Sequence, residues 1–424
     1  MINIKTTILN NKRYLLNVGT TFFSQFANAV TLIILTPLLS SYLGLSNFGT
    51  YGVIINVIAF SVILDFGLNI GLVRSFIHQS SSLKDLSNSI FIFFTSLLFL
   101  LFPIFLIFYF NYFQNTNLEL FQIAGLTTVI VVQNILAGYF DALIQAQNKI
   151  YVSKIIRASK LLLELIFILI FIKSIHLIGL LTIMFFVNVA YLLSLYLYLK
   201  KATQFTINYN HFKFQVLLSH FKYCFWYFVS SLATVLVFNT QVLILNYYNG
   251  PTIAAKYLVV VRFFDIIRIA ATNFTQVLFP KIIQIEYLGD WKLIKIMLFS
   301  VYKKISILII FILLFLYFFG FQLFVYWSRL NDPSLSLLFN LYLIFTSLII
   351  FDNVSVIFLS ALKLNKIPTL VSIGQGLLGI LLSILLLYYI GYIGILAGFL
   401  ISFIFTNLFF NPYYLLQSVN KRLE

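Results

Sequence analysis

The sequence has few charged residues and almost no cysteine. Asp, Glu, Lys and Arg make up only 9% of its 424 residues, whereas hydrophobic residues make up 62%. A soluble domain carries about 25% charged residues, so no soluble core could hide this much apolar surface. Most of the chain must therefore be solvated by lipid. The single cysteine, Cys224, excludes an intrachain disulfide and a thiolate metal cluster.

Long apolar runs dominate the rest of the sequence. They are continuous, which excludes the alternating pattern of a membrane β-barrel. At about 20 apolar residues per spanning helix, the chain has room for about twelve helices with short loops and no soluble domain. We predict spans at about 15–42, 49–73, 88–110, 118–140, 159–175, 177–199, 223–247, 254–280, 305–327, 336–361, 369–389 and 392–416.

The basic residues predict the orientation of these spans. Most of the 27 Lys and Arg residues fall in loops on the side that carries both termini. Cytoplasmic loops of membrane proteins are enriched in Lys and Arg, so this side is expected to be cytoplasmic. The net charge of +16 then reflects topology, and nucleic acid is not needed as a partner to explain it.

Two internal similarities divide the spans into six plus six. Residues 42–58 resemble 248–264, and 146–155 resemble 363–373. An even number of spans per half means that both halves insert the same way up, related by a pseudo-two-fold axis along the membrane normal. The predicted fold is an all-α polytopic membrane protein with two six-helix lobes around a central cavity. Its predicted parts are an N-terminal lobe (1–199), a partly amphipathic cytoplasmic linker (200–222) and a C-terminal lobe (223–424).

Polar side chains follow one face of the predicted eighth span. At about 100° per residue, Arg262, Asp265, Arg268 and Asn273 share one arc of the helix. Lys256 points elsewhere and can snorkel to the outer interface. Two interpretations are open: Asp265 neutralises both arginines in a structural ion cluster, or the stripe lines a hydrated cavity. In the second case its surplus positive charge would bind an anionic substrate, since ionisable residues inside a membrane are functional by default.

Other candidate residues lie elsewhere in the chain. Gln25 and Asn28, on the polar face of the first span, suit either sugar hydroxyls or hydrogen bonds between helices. Asp65 and Asp352 are each a candidate proton or sodium site, or a helix-end partner for a cytoplasmic lysine. Arg74 ends the second span and is expected to anchor it at the interface, with Asp65 as a gate partner.

No motif in the sequence predicts a reaction. The four histidines stand at no metal-ligand spacing. There is no phosphate loop, zinc motif or pair of carboxylates at a plausible site. We therefore predict no catalytic residue, no metal site and no cofactor, and we do not expect an enzyme.

Two motifs stand out near the second and fourth spans. From Tyr42 to Arg74 the chain reads YLGLSNFGTYGVIINVIAFSVILDFGLNIGLVR, with an LG…FG-x-Y turn, then DFGL and a closing arginine. The loop QAQNKIYVSK follows the fourth span. With this length and span number, the chain resembles the polysaccharide transporter family. These are the Wzx-type O-antigen and capsule flippases of the multidrug/oligosaccharidyl-lipid/polysaccharide exporter superfamily.

The resemblance implies a substrate and a mechanism. Family members move undecaprenyl-diphosphate-linked oligosaccharide repeat units from the cytoplasmic to the outer leaflet of the bacterial cytoplasmic (inner) membrane, by alternating access and with an ion gradient. Arg262 and Arg268 would then offer fork-shaped hydrogen bonds to the diphosphate. The implied partners are the lipid-linked glycan, membrane lipids, H⁺ or Na⁺, and the polymerase and chain-length proteins of lipopolysaccharide or similar synthesis. The protein itself is expected to be a monomer.

Three alternatives stay open on the sequence alone. A membrane glycosyltransferase, such as an O-antigen polymerase or ligase, has a similar length and span number, but a large outer loop with catalytic residues is expected in it. A drug or small-cation exporter of the same superfamily would need acids facing its cavity. A purely structural membrane partner would not explain the buried charges.

Overall fold

The chain folds into α-helices joined by short connections. A computed structural model describes residues 4–77, 85–96, 99, 103, 118–147, 149–203, 212–276 and 278–423, with the side chains of 4–15, 74–77, 118, 120, 203, 223, 273 and 280 outside that description. No strand occurs in these ranges. The predicted all-α class is therefore confirmed.

Seventeen helical segments are labelled in chain order. The first nine are α1 (Ile4–Tyr42), α2 (Gly44–Ala59), α3 (Ser61–Leu64), α4 (Leu68–Ile77), α5 (85–96), α6 (Leu118–Ala146), α7 (Ile150–Phe171), α8 (Leu177–Thr203) and α9 (Phe214–Phe238). The others are α10 (Thr240–Asn249), α11 (Pro251–Gln276), α12 (Phe279–Tyr287), α13 (Trp291–Ser328), α14 (Leu335–Ala361), α15 (Lys366–Ile390), α16 (Ile393–Phe403) and α17 (Phe409–Lys421). A π-helical segment, Ile404–Leu408, joins α16 to α17.

The described part of the chain contains 8 helices that are long and apolar enough to cross a membrane, or up to 9 if the bent α9 is counted as one span. The protein is thus a multi-pass membrane protein. The predicted fifth and eighth spans correspond to α7 and α11. Neither of these helices is among the 8, and each carries several charged residues. The predicted third span, 88–110, lies mostly outside the described residues.

Contacts group the chain into two compact units. The first consists of Met1–Thr31 and Val57–Ser231, and the second of Leu32–Asn56 and Leu232–Glu424. Within the first unit, α6 packs against α3, α4, α7 and α8. Within the second unit, α14 packs against α11 and α13, and α15 packs against α16. The lobe boundaries expected from the sequence stay a prediction, and residues 204–211 of the expected linker lie outside the described residues.

The second predicted span, 49–73, is wrong as a single helix. It is interrupted between α2 and α3 and again between α3 and α4, where Phe66 has a φ of 52° and Gly67 a φ of 70°. Lipid offers no hydrogen-bond partner to the backbone groups that such a break frees. The Asp65 carboxylate supplies one, because Oδ1 accepts a hydrogen bond from the Gly67 amide at 2.7 Å. Its Oδ2 accepts from Nδ2 of Asn69 at 3.1 Å.

Other predicted spans differ from the helices at their ends. The seventh, 223–247, is divided between α9 and α10 at Asn239. The ninth, 305–327, is the second part of α13, which begins at Trp291, where the Asp290 side chain accepts a hydrogen bond from the Leu293 amide and so caps the helix. Hydropathy detects the segment that can lie in lipid, whereas caps and breaks decide where the helix itself begins and ends.

Two glycines that the internal similarity pairs both have a positive φ angle. Gly44 has a φ of 74° and Gly250 a φ of 80°, and each stands where a new helix begins. Residues other than glycine rarely adopt this left-handed region. Within the second unit, a Cβ at Gly49 would lie 1.9 Å from the carbonyl oxygen of Pro251, so α2 approaches α11 backbone to backbone.

Gly67→Ala is expected to destabilise the protein by at least about 1–2 kcal/mol, the cost of a left-handed conformation for an L-residue. The added Cβ would also lie 2.7 Å from the backbone nitrogen of Phe228. Gly125→Ala is the matched control, because nothing lies within 4 Å of its Cβ position. Thermal unfolding of both variants in one detergent tests this, and equal midpoints would contradict the structure around Gly67.

Candidate functional site

The predicted polar stripe lies on α11, in the second unit. Gly250 and Pro251 set the start of this helix, because the glycine turns the chain and proline suits the first helical position. The helix packs against α10 and α14, and Tyr257, Leu258, Val259, Val260 and Phe264 are buried. This packing fixes the rotation of the helix and therefore the direction of its charged face.

Two guanidinium groups on that face share one carboxylate. Oδ2 of Asp265 lies 3.3 Å from Nη1 of Arg262, and Oδ1 lies 2.6 Å from Nη2 of Arg268. The Asp265 side chain is 14% exposed, whereas Arg262 and Arg268 are 24% and 32% exposed. One acid cannot neutralise two bases, so the cluster keeps a surplus positive charge. The ion pairs of the first interpretation are therefore present, and they leave both arginines partly accessible.

A cavity of about 230 Å³ lies beside this cluster, and all of its lining belongs to the second unit. Arg262, Asp265 and Arg268 all line it. A water molecule takes up about 30 Å³ in the liquid, so the space can hold several. The remaining lining residues are Asn56, Thr234, Phe238, Asn239, Val242, Leu258, Val261, Phe264, Tyr342, Thr346 and Ile349. The arginines thus face a polar chamber and not a dry interface between helices.

Aromatic rings hold the cluster in position. The guanidinium carbon of Arg268 lies 4.7 Å from the centre of the Phe238 ring, a cation–π contact that leaves the edges of the guanidinium for hydrogen bonding. Tyr342 stacks on Phe264 with ring centres 5.4 Å apart. Thr272, in contrast, donates its hydroxyl hydrogen to the carbonyl oxygen of Arg268 on the same helix. Among the stripe residues whose side chains are described, Arg262, Asp265 and Arg268 line the cavity.

Several cavity residues were missed by the sequence-based prediction. Tyr342 and Thr346 are four residues apart on α14, a spacing that puts two polar groups on one face of the helix and could have signalled them. Asn56 is a single amide inside an apolar run, whereas Asn239 stands beside Thr240 and Gln241. They show no periodic pattern, and only the packing of α2, α9 and α10 in the second unit brings them to the cavity.

Lys256 is not a cavity residue. Its Nζ lies 2.6 Å from Oδ2 of Asp332, in the connection between α13 and α14. Asp332 also accepts a hydrogen bond from the Ser334 hydroxyl at 2.7 Å. The hydrogen bonds from Lys256 and Ser334 lower the pKa of the Asp332 carboxyl from 3.8 to about 2. Lys256, which was expected to extend to the outer interface, therefore links the start of α11 to the segment between α13 and α14.

Asp352 is a buried acid with an amide as its partner. Only 5% of the residue is exposed, and its two carboxylate oxygens accept hydrogen bonds from Nδ2 of Asn411 at 3.0 and 3.1 Å. Asn411 follows the π-helical segment Ile404–Leu408, a type of irregularity that is frequent at functional sites. Asp352 thus pairs with an amide and not with the cytoplasmic lysine that the sequence also allowed.

The other predicted site residues are placed as follows. Gln25 and Asn28 are half-buried in the first unit, and their role stays a prediction. Asp65 supports the start of α4, whereas the side chains of Arg74 and Asn273 lie outside the described residues. No group of three or more His, Cys, Asp or Glu side chains that could hold a metal ion occurs in the described part of the chain.

Comparison with known proteins identifies the family. The pattern of the family described as "Polysaccharide biosynthesis protein" matches residues 14–286, which include both the second predicted span and the charged face of α11. The chain belongs to this polysaccharide biosynthesis family. The resemblance drawn from the motifs is thereby confirmed. Comparison with curated proteins gave no match.

Solved structures of transporters share the fold of this family member. The MATE multidrug transporter DinF-BH matches with a TM-score of 0.72 at 13% identity, over 96% of each chain. The lipid II flippase MurJ, in an inward closed conformation, matches with a TM-score of 0.70 at 16% identity, over 96% of this chain and 87% of its own. The Vibrio cholerae MATE transporter VcmN matches with a TM-score of 0.66 at 12% identity, over 99% and 98%. The family member therefore has the fold of these transporters.

Asp332→Asn is expected to lower the thermal unfolding midpoint of the protein near neutral pH but not at strongly acidic pH. Because the folded-state pKa is lowered from 3.8 to about 2, the stabilisation is fully present above about pH 4 and is lost as the pH falls through about 2. The effect should be small, since Lys256 and Asp332 are 33% and 25% exposed. Unfolding curves of parent and variant across this pH range measure it. A difference that stays constant down to the lowest pH would contradict the assignment.

Proposed function

We propose that the protein is a flippase for undecaprenyl-diphosphate-linked oligosaccharide repeat units of O-antigen or a similar surface polysaccharide. It would move them from the cytoplasmic to the outer leaflet of the bacterial inner membrane by alternating access, with both termini in the cytoplasm. The proposal rests on the cluster of Arg262, Asp265 and Arg268 beside a cavity on α11, the predicted eighth span. Membership of a polysaccharide biosynthesis family and a fold shared with transporters support it.

The chemistry of a diphosphate suits this cluster. A diphosphate is an anion that is costly to move through a low-dielectric layer unless fixed cations replace its water. A guanidinium group presents a planar fork that matches two phosphate oxygens, and it keeps its charge in any environment. Asp265 holds both forks in place and offsets part of their charge, which limits the affinity and allows release. This arrangement favours a phosphorylated head group over a cationic drug.

The size of the cavity limits what it can hold. At about 230 Å³ it is smaller than the roughly 300–1,000 Å³ of sites that enclose a drug-sized ligand. In this proposal it receives the diphosphate, with Tyr342, Asn239 and Thr346 as further hydrogen-bonding groups. The cavity is too small to hold the glycan as well, and the amides of Gln25 and Asn28, in the first unit, are proposed separately as sugar contacts.

Ion coupling is assigned to Asp352 in this proposal. A buried carboxylate that has one amide donor keeps lone pairs with which it can take up H⁺ or Na⁺. Asp65 is the weaker candidate, since both of its oxygens already support the break before α4. The proposed partners are the lipid-linked glycan, membrane lipids, and the polymerase and chain-length proteins that act on the product.

Arg262→Ala and Arg268→Ala are each expected to reduce delivery of surface polysaccharide about 10- to 100-fold, because each removes a charge-assisted hydrogen bond worth about 1.5–3 kcal/mol. Lipid-linked single repeat units should accumulate on the cytoplasmic face. Arg268→Lys keeps the charge but not the fork, so an intermediate effect is expected. Quantified polysaccharide and leaflet-specific labelling of the lipid-linked units in complemented deletion cells measure both.

Lys303→Ala is the matched control, because it removes an exposed cation from α13 and should leave delivery unchanged at equal protein level. Normal delivery of surface polysaccharide by the Arg262→Ala/Arg268→Ala double variant would show that the cavity has no part in the mechanism. Accumulation of single units in the outer leaflet of the deletion strain would indicate a polymerase instead.

A further inference from the structure

A second cavity, of about 420 Å³, lies within the first unit and has a different chemistry. It is formed where the start of α4 meets α9. Four phenyl rings and one ammonium group line it, namely those of Phe66, Phe221, Phe225, Phe228 and Lys222. We call this space the phenylalanine groove. Its lining can hold a hydrocarbon chain but offers no hydrogen-bonding group except the lysine.

The groove is held by close packing. Phe66 has a φ of 52°, a conformation that bulky residues rarely adopt. From there its ring stacks on Phe228 with centres 5.5 Å apart and meets Phe221 edge-on at 5.8 Å. Gly67 lets α4 approach α9, because a Cβ there would lie 2.7 Å from the Phe228 nitrogen. The interruption between α3 and α4, which the adjacent Asp65 stabilises, thus places the Phe66 ring in the groove.

Lys222 is the charged member of the groove. It is exposed, and it forms no salt bridge or hydrogen bond with any described residue. Lys213, which precedes the same helix, differs, since its Nζ lies 2.6 Å from Oδ2 of Asp85. Lys222 ends the first straight part of α9, before the helix bends into Cys224–Phe238. This position is the predicted cytoplasmic end of the seventh span, where lipid head groups lie.

A hydrocarbon groove with one cation at head-group depth fits an anionic phospholipid. Any bilayer lipid could lay a chain against the phenyl rings, but only a negatively charged head group gains from Lys222. The four-carbon stem of the lysine can lie along the apolar wall while its ammonium contacts the phosphate. We propose that the phenylalanine groove binds a phosphatidylglycerol-like anionic phospholipid, with one acyl chain among the rings and the phosphate on Lys222.

Lipid retention by the purified full-length protein tests this site. The protein is placed in nanodiscs that contain phosphatidylcholine and phosphatidylglycerol, and retained lipid is measured by native mass spectrometry. Lys222→Gln should weaken phosphatidylglycerol retention about fivefold, the contribution of one lysine near an anionic membrane surface, and leave phosphatidylcholine unchanged. Phe225→Ala should weaken the retention of both lipids. This ring is 53% exposed, so its loss should not unfold the protein.

Lys292→Gln is the matched control, since it removes an exposed lysine at the start of α13 and should not change retention. Unchanged phosphatidylglycerol retention in Lys222→Gln would overturn the proposal. So would a parent protein that retains a polyprenyl phosphate added to the same nanodiscs but not phosphatidylglycerol. Binding is measured without transport, so neither result depends on the proposed flippase activity.

Discussion

Hydrocarbon can neither hydrogen-bond to a peptide group nor solvate a charge, and this constraint governs the whole structure. It places nearly all of the described backbone in helices, where each peptide group has a partner in its own segment. An interruption of a helix in lipid needs a substitute for these partners. Between α3 and α4 the substitute is the carboxylate of Asp65, which accepts from the backbone amide of Gly67.

The same constraint explains how the charged residues are accommodated. Asp265 pairs with two arginines beside a chamber that can hold water. Lys256 reaches an acid in a connecting segment, and Asp352 meets an amide. Of these three arrangements, only the first leaves a surplus of positive charge facing open space. For this reason the α11 cluster is the one of these three arrangements that is proposed to bind an anionic substrate.

The two cavities differ because different residues fill the space between helices. Beside α11 the lining includes charges, amides and hydroxyls, so it can replace the water around a polar head group. The phenylalanine groove is lined by rings and one lysine, so it can hold a chain that never leaves lipid. Each property follows from a few side chains on helices that are mostly apolar. The chemistry of each cavity therefore depends on the few residues that depart from the apolar composition of the chain.

The sequence alone determined the all-α membrane class, the family resemblance and the shared face of Arg262, Asp265 and Arg268. Composition and helical period are local properties, so no tertiary information was needed for them. Only the tertiary structure decided that a cavity lies beside that face and that Tyr342 belongs to it. It also decided that the second span is broken at Gly67 and does not run as one helix. A cavity is the volume left between segments far apart in the chain, and a break depends on a side chain that reaches back to the backbone. Neither a cavity nor such a break produces a periodic pattern in the sequence.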